Sequence, residues 1–161
     1  MSNIKRYALI FLLAAGFYAG EVFVFGLSEG RFTAHLMLAY IILLGLYLDF
    51  RYCFFAAVTS GIFKDSLLTS LSGINTLSFL SCAGLLFILR KYFYHPHSGF
   101  SRVWTVFLVL CFNELINFVF YSYLKDISFP EAFRYAIAPN IVLALFFYKP
   151  VKYVLEKCVL R

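Results

Sequence analysis

Six apolar runs succeed one another along this chain, at 7–25, 32–48, 52–69, 75–89, 103–123 and 133–148, each bounded by charged or turn-forming residues. Inside hydrocarbon every backbone N–H and C=O must be bonded within the chain, so such runs are read as helices. The expected fold is all-α: a six-transmembrane-helix bundle forming one polytopic membrane domain over 1–161. Composition agrees, because 63% of the residues are hydrophobic and only 14% charged, whereas soluble domains carry about 45–50% and about 25%. Six spans of about 20 residues use roughly 120 positions, leaving short loops and no separate soluble domain.

The net charge of +6 does not form the continuous basic face that nucleic acid would need, so no nucleic-acid partner is expected. Basic residues fall between the runs and report topology instead. Ten of the 14, namely Lys5, Arg6, Arg51, Arg90, Lys91, Arg102, Lys149, Lys152, Lys157 and Arg161, lie on one side. Arg31, Lys64, Lys125 and Arg134 lie on the other. Both termini are then expected in the cytoplasm, with the loop around Asp65 facing outward. The first run imitates a signal peptide but is read as an uncleaved span, with Glu21 near the outer interface and a Gly16-x3-Gly20 step that allows close helix approach. The second run is short, and needs either help from its flanks or a thinned bilayer to cross. Pro139 predicts a kink in the sixth, and 150–161 has the spacing of an amphipathic surface helix. Cys53, Cys82, Cys111 and Cys158 lack C-x-x-C spacing and are read as apolar packing.

The sharpest anomaly is C-F-N-E-L-I-N-F in the fifth run. Helical spacing puts Leu110, Asn113, Glu114, Asn117 and Tyr121 on one face. A carboxylate at mid-membrane costs about 2.5–3.5 kcal/mol even on an insertion scale, so this face is expected to meet protein rather than lipid. Two roles are open for Glu114: a polar contact fixing helix packing or partner docking, or a proton or cation site of a transporter.

A second anomaly interrupts the stretch 54–89, where Lys64, Asp65 and a Ser/Thr-rich segment lead to Gly73 and Asn75. The segment is either a loop at the membrane surface or a break buried among helices. Asp65 reads as a helix-end carboxylate that is solvated or paired with Lys64, and Asn75 as a cap for the fourth helix. The spacing Gly61-x3-Asp65-x7-Gly73-x3-Leu77 on the third span, with A-P-N-I-V-L-A-L-F-F-Y-K-P at 138–150, resembles the rod shape-determining protein MreD family of bacterial inner membranes. That family has further glycines before the motif, where Phe54, Phe55, Ala56 and Ala57 stand here, and a proline opening the second span, absent before Tyr40. The resemblance implies a structural role for Asp65 at a helix break, capping backbone groups on the Gly73 side. It also implies an architecture similar to the substrate-binding subunits of energy-coupling vitamin transporters.

No nucleophile with its base, phosphate-cradling loop or H-E-x-x-H helix is present, so catalysis has no support in the sequence. No cofactor or metal site is expected, and His95 and His97 read as surface histidines. The resemblance implies a non-enzymatic scaffold of the cell-wall elongation (rod) complex, involved in cell shape and lateral peptidoglycan synthesis. Its implied partners are membrane lipid, an MreC-like protein, an MreB-like filament and peptidoglycan synthases, with a second copy of the chain as a further candidate. Gly61, Asp65, Gly73, Asn113, Glu114 and Asn117 are the expected packing or partner residues. The alternative is a small-ligand-binding subunit of an energy-coupling transporter.

Overall fold

The computed structural model describes residues 3–27, 35–67, 73–94 and 99–122, together with Phe146 and Tyr153. Among these every regular element is helical: α1 (Asn3–Leu27), α2 (Leu36–Tyr47), α3 (Phe50–Leu67), α4 (Ile74–Tyr92) and α5 (Gly99–Ser122). The described part of the chain is thus all-helical. Three helices, Ile4–Leu27, Ile74–Tyr92 and Phe100–Phe120, are long and apolar enough to cross a membrane. The described residues hold five helices rather than the expected six. The sixth run, its Pro139, the tail, His95 and His97 lie outside them, apart from Phe146 and Tyr153, which are helical.

The sequence of α2, L-M-L-A-Y-I-I-L-L-G-L-Y, is apolar all round, which is the pattern of a helix enclosed by others. All of Leu36 to Leu46 is buried, and α2 packs on α1, α3, α4 and α5. Tyr40 is fully enclosed, its hydroxyl donating to the Ile10 carbonyl at 2.7 Å and its ring stacked on Phe17 at 5.1 Å. Gly45 is where α4 comes closest, since a side chain there would collide with Leu86 and Cys53. The 12 residues of α2 reach only about 18 Å, short of the roughly 30 Å of a hydrocarbon core. Its last carbonyls would stay unbonded. The Arg90 guanidinium supplies the donors, bonding the carbonyls of Gly45 (3.1 Å) and Leu48.

Short connections make successive helices antiparallel neighbours, and α3 and α4 share the largest contact. Lys5, Arg6, Arg51, Arg90, Lys91 and Arg102 therefore collect at one end of the bundle. Glu21, His35, Lys64, Asp65 and Asn75 collect toward the other. Large apolar side chains such as Leu12 and Phe23 on α1, Phe87 and Ile88 on α4, and Leu115 and Val119 on α5 point outward. Such a surface would aggregate in water and suits lipid.

Candidate functional site

Asp65 is not in a loop but in the last turns of α3, and it is buried. Its Oδ1 accepts the Asn75 backbone N–H at 3.1 Å and the Asn75 side-chain amide at 2.9 Å. Its Oδ2 accepts the Thr76 N–H at 3.0 Å and the Thr76 hydroxyl at 2.6 Å. The residue before α4 is Gly73, with no side chain to cap the helix and a φ of 105° that suits glycine. Asn75 and Thr76 carry the second and third amides of α4, the pair that an N-cap side chain would bond. Asp65 bonds them from the neighbouring helix instead. The expected pairing with Lys64 is therefore replaced, and Asn75 receives the cap rather than giving it.

Gly61, one turn before Asp65, brings the two helices close enough for this. A Cβ at Gly61 would strike the backbone and side chain of Thr76. The close approach that Gly61 permits is thus made within the chain, so it is not an open face for another protein. Gly73 has nothing within 4 Å of an added Cβ, and its requirement is conformational.

Lys64 turns the other way along α3, bonding Glu21 Oε1 at 2.8 Å. Glu21 points into the bundle: its side chain is 15% exposed, and Oε2 accepts the Met37 N–H at 3.0 Å. Met37 carries the second amide of α2, so Glu21 caps α2 from α1 as Asp65 caps α4 from α3. Lys64 Nζ also lies 3.3 Å from His35 Nδ1, and His35 Nε2 lies 3.4 Å from Glu114 Oε1. An ammonium has no lone pair, so Nδ1 must accept, and Nε2–H then faces the carboxylate. Asn113 donates to Glu114 Oε1 at 3.3 Å and accepts the Ser78 hydroxyl at 2.9 Å. One polar chain, Glu21–Lys64–His35–Glu114–Asn113–Ser78, touches all five described helices.

Of the residues expected from sequence, Asn113 and Glu114 lie in this network, and Gly61, Asp65 and Gly73 form the α3/α4 junction beside it. Asn117 is in neither set; its Oδ1 is buried with no hydrogen-bond partner among the described residues. Sequence reasoning missed His35 as the partner of Glu114, and Lys64 and Glu21 beyond it. Their signal was collective: four ionisable groups on four apolar segments, all placed toward the same end by alternating topology. Among the described residues, no group of three or more His, Cys, Asp or Glu side chains could hold a metal ion.

Comparison with protein families matches residues 2–158 to the rod shape-determining protein MreD family. The chain belongs to the MreD family. Comparisons with curated proteins and with solved structures give no match. Membership in the MreD family implies a role in rod shape determination and association with the membrane and the rod complex. The family is a shape-determining one and not a known enzyme family. The three helices able to span a membrane accord with a membrane protein. In this MreD chain the Gly61, Asp65 and Gly73 spacing corresponds to one physical unit, a close helix crossing with a carboxylate cap beyond it.

Proposed function

We propose that this MreD-family chain is a non-enzymatic, six-span scaffold of the rod complex in the bacterial inner membrane, one domain over 1–161 with both termini cytoplasmic. It serves lateral peptidoglycan synthesis by holding an MreC-like protein through its intramembrane helices, alongside an MreB-like filament and peptidoglycan synthases. The observation that carries this reading is the polar chain joining five helices. It ties them into one body and spends Asn113 and Glu114 inside it, which leaves apolar shape as the means of recognition.

That reasoning favours α1 as the docking helix. Its buried apolar residues are Ile10 and Ala14, while Leu12, Phe23 and Leu27 face outward. Beside Gly16, which is exposed, a Cβ would meet nothing within 4 Å. A partner helix could therefore approach closely there, as small residues permit in lipid. The test is co-purification with the MreC-like partner in mild detergent. Gly16→Leu should lower recovery roughly tenfold, the equivalent of about 1.4 kcal/mol, with thermal stability of the chain unchanged. Full recovery would remove α1 as the docking helix, and the mass of the complex would show whether a second copy occupies that face. If the unmodified protein holds no such partner but binds a vitamin-like ligand and an ATPase module, the scaffold reading fails.

A further inference from the structure

A groove opens at the basic end of the bundle, between the end of α4 and the first turns of α5. Its floor is Leu89 and Thr105, both buried, and its rim is Phe93, Phe100, Trp104 and Leu108, all exposed. The volume is about 500 Å³, inside the roughly 300–1,000 Å³ typical of small-molecule sites. The Ser101 hydroxyl donates to the Phe93 carbonyl at 3.0 Å and ties the two helices at the mouth. The Thr105 hydroxyl donates to the Ser101 carbonyl at 2.8 Å, so the floor has its donor satisfied and behaves as apolar.

From Phe100 to Leu108 the groove follows α5 for about 12 Å, starting at the helix end and running toward its middle. Phe100 and Trp104 meet edge to face at 5.9 Å, and aromatic rings of this kind favour headgroup depth. The same end of the bundle carries Lys5, Arg6, Arg51, Arg90, Lys91 and Arg102, with Asp49 its one acid among the described residues. An apolar slot with an aromatic rim, opening at the end of the bundle where these cations gather, matches a ligand with an anionic head and a hydrocarbon tail. We propose that this groove binds one anionic phospholipid, an acyl chain lying against Trp104 and Leu89 and the phosphate held by Lys91 and Arg102, the cations of the two helices that form the groove.

Trp104 is the chain's only tryptophan, so its fluorescence reports this groove alone. The full chain is placed in phosphatidylcholine nanodiscs containing a minor fraction of brominated phosphatidylglycerol or of brominated phosphatidylcholine. The anionic lipid should quench Trp104 more strongly by about fivefold, the factor one basic residue near an anionic surface supplies, with the preference shrinking as salt rises. Lys91→Gln with Arg102→Gln should abolish the preference, as should Thr105→Leu, which fills the floor and leaves every charge in place. Lys5→Gln with Arg6→Gln, on α1, should leave it intact. Equal quenching by the two lipids in the unmodified protein would mean ordinary boundary lipid and overturn the site. Quenching by neither would mean that protein covers the groove, with the same consequence. Loss of the preference in the Lys5 and Arg6 variant would assign it to the diffuse field of the basic end, which also overturns the site.

Discussion

Asp65 does for α4 what the glycine at the helix's own N-cap cannot. An N-cap carboxylate is worth about 0.5–2 kcal/mol, and this one accepts four hydrogen bonds. Asp65→Ala should therefore destabilise the chain by about 2 kcal/mol or more, with Asp65→Asn intermediate because it keeps one acceptor. Thermal unfolding in detergent gives the order, and equal stability of the three proteins would show that the α4 amides find other acceptors. Lys64 is bracketed by Glu21 and His35 in a part-buried pair, and removing one partner strands the other charge. Lys64→Met should thus be more damaging than Lys64→Met combined with Glu21→Gln, and a double-mutant cycle measures the difference. Glu114→Gln keeps an acceptor for His35 and Asn113 and should be milder than Glu114→Leu. The sequence marked Asp65 and Glu114 because a charge in an apolar run needs a partner. The family resemblance pointed Asp65 to the Gly73 side, but the residues alone could not name the partners, since Lys64 is the chain neighbour of Asp65, yet the helical turn sends the two side chains to opposite neighbours.

At the scale of elements, α2 reads in the sequence as a span too short for its task, calling for a thinned bilayer or help from its flanks. At each end of α2 a charged side chain of another helix bonds the backbone, Glu21 at the Met37 amide and Arg90 at the carbonyls of Gly45 and Leu48. The all-round apolar sequence already said that α2 is enclosed; the caps were illegible because they lie 16 and more residues away. Arg90→Leu should release the α2 carbonyls at a cost of about 1–3 kcal/mol per stranded group, and Arg90→Gln should recover part of it. Gly61→Leu belongs at this scale too, because the added side chain would push α3 from α4 and pull Asp65 off its amides. It should lower thermal stability of the isolated chain, whereas Gly16→Leu should not, and the reverse result would exchange their roles.

For the whole molecule, the alternation of basic and acidic ends was legible from the loops, because the same residues that set topology also flank the helices. The expected crossing pattern puts Gly99 inside and Lys125 outside; cysteine labelling that finds them on the same side would refute it. The all-helical architecture was legible as well, since hydrocarbon leaves little other choice for such runs. What the sequence did not disclose is that the polar residues of separate helices meet, because nothing local in an apolar run records which helix will lie beside it. The two carboxylate caps run in one direction: α1 serves α2, and α3 serves α4. During synthesis each capping carboxylate therefore enters the membrane before the helix whose amides it accepts. The first amides of a nascent α2 or α4 meet their acceptor on arrival, whereas the last carbonyls of α2 wait for Arg90 of α4. Glu114 is the last of the ionisable members to emerge, so its contact with His35 is the one that waits for α5.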